Sequence, residues 1–323
     1  MNRGASMKRS AIVDRRAVVK GALGGALGGV LGLTLPPFAR PAFSQGSPAV
    51  VPVREGFVML TGAGGNVLVR TASAGQVLVD SGAAEFTDAV LKRLRELPGA
   101  GRVTTLFNTH WHRDQVGGNF AFGQTGSTII AHEKTRARLA TDYYLGVEDR
   151  YEKALHKAAH PTVTLFSGNK TLAGSERIEY GHLVEPHTDG DIYVFFRDAN
   201  VLAAGDAISP LKDPVLDWFG GGWLGGRVDA QEKLLKLSNA ETRIVPSYGP
   251  VVGRAELQAE FDMTRMLFDR MLDLLRKGMS AQDMLDAGLM KGLSRTLRDP
   301  FRFAYDAHKG YWAHHNSLAP NLL

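Results

Sequence analysis

Cysteine is absent from the 323 residues of this chain. Disulfide bonds, a thiol nucleophile and thiolate metal ligands are therefore excluded, so any metal ion must be held by nitrogen and oxygen donors. A large excess of one charge is absent too, since 38 Lys and Arg face 33 Asp and Glu. The hydrophobic share of 44% is that of a globular protein.

The small positive charge is concentrated at the start of the chain. Residues 1–44 hold seven basic side chains and one acidic one, which leaves 31 basic and 32 acidic side chains in the remainder. A nucleic-acid-binding domain needs clustered basic residues on its folded surface. We therefore expect no nucleic-acid partner.

Residues 1–44 also have the pattern of an export signal. Arg15 and Arg16 precede the apolar, glycine-rich run GALGGALGGVLGLTL, and small residues surround Ser44. This segment resembles a twin-arginine signal with cleavage near Ser44. The run is shorter than the roughly 20 apolar residues of a membrane-spanning helix. We expect a periplasmic or otherwise exported protein with no stable membrane anchor after signal cleavage.

The remainder divides into two parts by its hydrophobic pattern. From 45 to 253, short β-branched runs alternate with segments of helical spacing, such as a helix over 86–99 and a helical region from 135 to about His156. This alternation predicts one α/β domain. From 254 to 323, apolar residues with helical spacing predict a C-terminal helical extension.

The segment NTHWHRDQVGGN contains a possible half of a metal site. His110 and His112 are two residues apart, so in an extended segment their side chains leave the same face, and Asp114 follows them. Two further strands end in PHTDGD, with His187, and in AAGDA, with Asp206. These residues are candidate ligands for one metal ion, because imidazole and carboxylate both bind zinc.

These motifs, together with VPSYGP, have the order and spacing of the metallo-β-lactamase superfamily, which this chain resembles over about residues 55–253. The resemblance implies an α/β fold, a four-layer αββα sandwich of two facing sheets with helices outside. It also implies an active site at one edge of the sandwich. The predicted C-terminal helices resemble an extension that some members carry.

The resemblance assigns a role to each motif residue. His110, His112 and His187 match the first metal site, Asp206 matches the carboxylate between the two sites, and Asp114 matches the acid of the second site. The two histidines of the second site are replaced, by Gln115 and Tyr248. An amide oxygen is a poor zinc ligand, and a phenol has a pKa of about 10. We therefore expect one zinc ion and a weakened second site.

A zinc ion with an open position implies hydrolysis of a small ester, lactone or amide. Asp114 would orient a water molecule or take its proton, and Tyr248 would donate a hydrogen bond to the developing charge. Residues 135–160 and the segment around Trp223 are expected to wall the pocket for this small-molecule substrate.

Two other functions stay open from the sequence. Two histidines with Asp206 also suit mononuclear iron and oxygen chemistry. Alternatively, the chain is a non-catalytic periplasmic metal-binding member of the family. The sequence does not determine the substrate or the oligomeric state.

Overall fold

The computed structural model describes residues 47–72, 74–145, 150–172 and 176–315. The predicted export signal at 1–44 lies outside the described residues. The strands of the described part are β1 (Ala49–Arg54), β2 (Phe57–Ala63), β3 (Gly65–Ala72), β4 (Gly75–Val79), β5 (Val103–Phe107), β6 (Thr128–His132), β7 (Tyr143–Leu145), β8 (Arg150–Glu152), β9 (Val163–Leu165), β10 (Asn169–Leu172), β11 (Ile178–His182), β12 (Ile192–Phe196), β13 (Val201–Gly205) and β14 (Arg243–Pro246). The α-helices are α1 (Thr87–Glu96), α2 (Arg113–Val116), α3 (Asn119–Gln124), α4 (Glu133–Ala140), α5 (Leu224–Leu237), α6 (Arg254–Leu275), α7 (Ala281–Asp286) and α8 (Pro300–His315).

Two mixed sheets form the centre of the protein. One has seven strands in the order β1-β2-β3-β4-β5-β6-β9, and the other has five in the order β10-β11-β12-β13-β14. Strands β4, β5, β6 and β9 run parallel, as do β13 and β14. Because parallel strands end at the same edge of a sheet, the loops after them gather side chains there.

Alternating side chains of the seven-stranded sheet build two of the layers. Leu68 of β3 packs between the sheets, in a cluster that also contains strand residues of the five-stranded sheet. Its neighbours Val67 and Val69 point to the other face, where they join a cluster with Val90 and Leu94 of α1. This is the period-2 pattern of a strand that is covered on both faces.

The five-stranded sheet has the same arrangement. Val194 and Phe196 of β12 belong to the core between the sheets. Tyr193 and Phe195 face outwards, in a cluster with Leu234 of α5 and residues of α6. The four layers are therefore helix, sheet, sheet and helix, which confirms the αββα sandwich predicted from the motifs.

The C-terminal helices predicted from residue 254 onwards are also present. Met263, Leu267 and Met271 of α6 share a buried cluster with Met284 of α7 and Phe303 of α8. This cluster gives the helices a hydrophobic core of their own. Among the described residues, no helix combines the length and the apolarity that crossing a bilayer requires.

The helical region predicted from 135 to about His156 is correct only as far as Ala140. Residues Tyr143–Leu145 and Arg150–Glu152 instead pair as an antiparallel hairpin. Aromatic residues favour this structure, since the rings of Tyr144 and Tyr151 lie 5.2 Å apart across the pair. The prediction failed because the polar residues of this segment fit a helix pattern, whereas packing of the tyrosines decides the outcome.

Candidate metal centre

The predicted ligands lie at strand ends that the fold brings to one edge. His110 and His112 follow β5, His187 follows β11, Asp206 follows β13 directly, and Tyr248 lies just beyond β14. Strands β11, β13 and β14 point the same way, because β12 is antiparallel to its neighbours and β14 is parallel to β13. The loops that leave them meet the loop after β5 at this edge.

Three imidazoles converge at this edge. One nitrogen from each of His110, His112 and His187 lies within 4.8 Å of the others. The ring centroids are 4.7 to 4.8 Å apart and the rings are nearly perpendicular to one another. In the part of the chain that the structure describes, this is the one group of three or more metal-ligating side chains with that spacing.

Hydrogen bonds fix which nitrogen of His110 faces the centre. The Thr109 hydroxyl donates to Asp80 Oδ2 at 2.8 Å, and the Thr109 amide donates to Asp80 Oδ1 at 2.8 Å. The hydroxyl oxygen is 3.0 Å from His110 Nδ1 and accepts its proton, because its own hydrogen is already used. The lone pair of His110 therefore lies on Nε2, which faces the other two rings.

Oxygen atoms of one loop orient the other two rings. His187 Nδ1 donates to the carbonyl of Val215 at 2.9 Å, and His112 Nε2 lies 3.0 Å from Asp217 Oδ2. Outer hydrogen bonds of this kind hold metal-ligating histidines in one tautomer and raise their basicity. They leave His187 Nε2 and His112 Nδ1 directed at each other, 2.9 Å apart.

This donor set fits a metal ion. His187 Nε2 and His112 Nδ1 each carry a lone pair when the rings are neutral, and two lone pairs at that distance repel unless a cation lies between them. His110 Nε2 is buried and has no hydrogen-bond partner. A proton would satisfy two nitrogens, whereas a metal ion satisfies all three, and nitrogen-rich sites suit zinc, copper, iron or nickel.

Burial and nearby charge set the protonation of the rings. Burial lowers the pKa of His110 well below its usual value and that of His187 to about 3, so both are neutral and able to ligate. Burial also opposes the charged form of His112, but the hydrogen bond and charge of Asp217 more than compensate and raise its pKa to about 8.

Asp206 lies beside the imidazoles rather than within their group. Its Oδ2 atom is 3.5 Å from His187 Nε2 and 3.7 Å from His110 Nε2. Burial raises the pKa of Asp206 to about 7, and the neighbouring charge of Asp114 adds to that effect. A bound cation would favour the carboxylate form.

A buried ionic network holds the segment that starts at Asp206. Arg227, on α5, donates to the Asp206 carbonyl at 2.6 Å, to the Ser209 hydroxyl at 2.9 Å and to Glu260 Oε1 at 2.9 Å. Glu260, on α6, also accepts from the Ser209 amide at 2.7 Å, and Gln231 Nε2 donates to Ala207 O at 3.0 Å. Two helices therefore fix the backbone that follows β13.

Asp114 and Tyr248 contact each other. The Tyr248 hydroxyl donates a hydrogen bond to Asp114 Oδ2. Asn66 holds the turn that carries Tyr248, because its side-chain amide donates to Pro246 O at 2.9 Å and to Gly249 O at 3.0 Å. The structure thus brings together the two residues predicted to handle protons.

Gln115 is fully buried, and neither atom of its side-chain amide has a hydrogen-bond partner. Its amide lies against Gly65, where an added Cβ atom would approach it to 2.3 Å. The close approach of β3 at this glycine leaves room for the Gln115 side chain. An unsatisfied buried amide costs about 1–3 kcal/mol.

Trp223 and the segment 135–160 were expected to wall the pocket, and the structure shows where they lie. Trp223 precedes α5 and stacks on His314 of α8, with ring centroids 3.9 Å apart. Tyr143 belongs to the β7–β8 hairpin, and its ring centroid lies 5.2 Å from that of Trp111. In the sequence, Trp111 stands between His110 and His112. Their part in binding a substrate stays a prediction.

Sequence reasoning missed Asp217 and Val215. Asp217 is 105 residues away from His112, in a loop whose residues have no periodic pattern. The only signal was an acidic residue within a Gly- and Trp-rich loop, which also fits a turn. The contact became visible only when the fold placed this loop against the imidazoles.

The four-layer sandwich gathers three imidazoles and a carboxylate at one edge, and this donor set could hold a metal ion. Residues 61–248 match the model of the metallo-beta-lactamase superfamily, and this chain belongs to that superfamily. The metallo-beta-lactamase type 2 of Bacillus cereus is 27% identical over 203 residues, which cover 62% of this chain and 73% of that protein.

Solved structures show the same fold. The metallo-beta-lactamase from Pontibacter korlensis matches with a TM-score of 0.52 and 21% identity, over 68% of this chain and 99% of that one. The stereoselective inverting sec-alkylsulfatase Pisa1 from Pseudomonas sp. matches with a TM-score of 0.62 and 16% identity, over 85% of this chain. The match spans 51% of the sulfatase, so about half of that protein has no counterpart here.

Proposed function

We propose that this chain is an exported hydrolase that uses one zinc ion to cleave a small ester, lactone or amide. The observation that carries the proposal is the convergence of three imidazole nitrogens, from His110, His112 and His187, whose outer nitrogens are all hydrogen-bonded to oxygen. Three protein nitrogens are the usual ligand number of a catalytic zinc site, which keeps its remaining position open.

The ion would be held by the three histidines, with the Asp206 carboxylate next to them. When bound, zinc supplies Lewis acidity, which lowers the pKa of water to about 7 and polarises a carbonyl group. We assign the remaining steps to protein side chains at the edge of the site, namely Asp114 and Tyr248.

Asp114 would take a proton from the attacking water, and Tyr248 would donate a hydrogen bond to the developing oxyanion or leaving group. The hydrogen bond from the Tyr248 hydroxyl to Asp114 Oδ2 supports this division, because it orients both groups before substrate arrives. The Tyr248 hydroxyl would then turn from Asp114 and donate its hydrogen bond to a nearby substrate oxygen.

The second metal site of the family would be absent from this chain. Gln115 presents an amide instead of an imidazole, and Tyr248 presents a phenol whose hydrogen bond already occupies Asp114 Oδ2. Neither group is a good zinc ligand while it is neutral. These residues do not fit a second ion, and no step is assigned to one.

The relatives support hydrolysis and leave the substrate open. The similar curated proteins are named as beta-lactamases, and a β-lactam is a cyclic amide. The similar sulfatase is named for sec-alkyl sulfates. This chain would act on a substrate that carries a comparable electrophile. Export would follow from the twin-arginine-type segment in residues 1–44.

A metal assay combined with a substrate screen tests the proposal. The protein is purified without added metal, its metal content per chain is measured, and hydrolysis of ester, lactone, lactam and sulfate ester substrates is followed. We expect about one zinc per chain and activity that disappears in His110→Ala and His187→Ala. His156→Ala, outside the centre, is the matched control. Stoichiometric iron with no hydrolysis would favour the redox alternative instead.

A further inference from the structure

We propose that the ammonium group of Lys212 takes the place of the second metal ion as the cation beside Asp114 and Asp206. This inference rests on the proposed single-metal function. It explains how the Asp114 and Asp206 carboxylates can lie in one site without the second metal ion of the family. The site would then contain one metal ion and one fixed lysine.

The first observation is the position of the lysine. Lys212 Nζ lies 3.1 Å from the centroid of the Tyr248 ring. This is a cation–π contact, in which the face of the ring attracts the ammonium. The hydroxyl of the same ring donates to Asp114 Oδ2. Lys212 therefore covers the residue that stands where the family has a histidine ligand.

The second observation is the charge around the lysine. Burial lowers the pKa of Lys212, and the negative charges of Asp206 and Asp114 oppose that shift. Among the described residues, Lys212 forms no ion pair at contact distance, so its charge acts on these two carboxylates over a longer distance.

The third observation is that the loop of Lys212 is held at both sides. Asp213 Oδ2 accepts hydrogen bonds at 2.8 Å from the backbone amides of Arg298 and Asp299, before α8. On the other side, an added Cβ atom at Gly249 would lie 3.1 Å from Leu211 Cβ, so the loop packs directly on the Tyr248 turn. These contacts hold the backbone on both sides of Lys212, whose own side chain is exposed.

An ammonium at this position would repel a second divalent ion. Like charges a few ångströms apart repel each other even at the effective dielectric constant of a protein surface. The lysine would also reduce the repulsion between the Asp114 and Asp206 carboxylates. The loss of two histidine ligands and the presence of Lys212 are then parts of the same change.

A metal-binding experiment separates this role from catalysis. The Gln115→His substitution returns one imidazole to the second site and gives a background in which a second ion can bind. Cobalt(II) is titrated into Q115H, Q115H/K212M and Q115H/K212R, with absorption spectra and calorimetry as the readouts. We expect the first ion to bind equally in all three proteins, and the second ion to bind at least about tenfold more tightly in Q115H/K212M.

The arginine variant and a second lysine provide the controls. Q115H/K212R keeps the positive charge and should resemble Q115H. Lys233 also lies over a tyrosine, with Nζ 5.1 Å from the Tyr193 ring on the outer face of the five-stranded sheet, so Q115H/K233M should leave both ions unaffected. Equal second-ion affinity in all proteins, including no second ion in any of them, would overturn the inference.

The outcome is independent of substrate turnover. If the titrations follow the expectation and no substrate is hydrolysed, the proposed function fails while the role of Lys212 stands. If hydrolysis with one zinc is established and the second-ion affinity does not depend on residue 212, the role of Lys212 fails while the proposed function stands.

Discussion

Replacing Arg227 by Met tests how the protein holds the segment that begins at Asp206. The Arg227 side chain is completely buried, and its three hydrogen bonds join Asp206 O, Ser209 Oγ and Glu260 Oε1. Methionine has a similar length and no charge. The Glu260 carboxylate, which is only 8% exposed, then stays in the interior without its cationic partner.

The expected magnitude follows from that unpaired charge. Removing one partner of a buried ion pair costs about 3–5 kcal/mol in the free energy of unfolding. The carbonyl of Asp206 also loses its donor, so the carboxylate beside the imidazoles becomes less well positioned. We expect the affinity for zinc to fall by about 10–100-fold, as when other groups that support a metal ligand are removed.

Two measurements and two control proteins make the test specific. Chemical denaturation of the metal-free protein gives the free energy of unfolding, and competition with a chelator gives the zinc affinity. Arg270→Met removes a guanidinium whose Nη1 atom donates to Gly288 O, Leu289 O and Lys291 O, far from the ligands, and should reduce stability alone. The double variant R227M/E260M removes both charges and should regain most of the lost stability.

The reasoning would be refuted by either of two results. A stability loss below about 1 kcal/mol in R227M would mean that Glu260 finds water or another partner, so that the charge is not buried as the structure has it. An unchanged zinc affinity in R227M would mean that the backbone at Asp206 needs no support from α5.

Three further perturbations have defined outcomes. Asp217→Asn keeps an acceptor for the Gly220 amide but removes the charge beside His112, and should weaken zinc binding in a chelator competition by about tenfold; an unchanged affinity would contradict the role of Asp217. Tyr248→Phe should lower kcat by about 100-fold at constant zinc content, with KM little changed; an unchanged kcat would exclude the phenol from the reaction. Between pH 7 and pH 5, His182→Gln should lose less of its free energy of unfolding than the unsubstituted protein, as measured by denaturation at both pH values. Burial lowers the pKa of His182 to about 4, so as the pH falls from about 6.5 the unfolded chain takes up a proton that the folded one does not; equal losses in both proteins would refute this.

The sequence predicted those site residues that are close together in the sequence or that directly follow a predicted strand. His110 and His112 are close because they are two residues apart, and His187 and Asp206 follow strands whose ends share an edge. The period of the hydrophobic residues was enough to place those strands. The roles assigned to these residues stay predictions until a metal assay is done.

The sequence did not predict contacts made by loops. Asp217 and Lys212 lie between β13 and α5 in a segment without periodicity, and their partners are determined by how that segment folds over the sheet edge. The hairpin of β7 and β8 was missed for a similar reason. Its Tyr143 packs on Trp111, and such a contact has no local signal.

The C-terminal extension contacts the segments next to the candidate metal centre, although the family match ends before it. That match covers residues 61–248, yet Glu260 of α6 completes the network around the segment after β13. The backbone before α8, at Arg298 and Asp299, holds Asp213 and so the loop that carries two partners of the histidines. Because Glu260 holds the backbone that follows Asp206, a substitution of Glu260 should change metal affinity without altering any ligand, whereas Arg270 has no such contact.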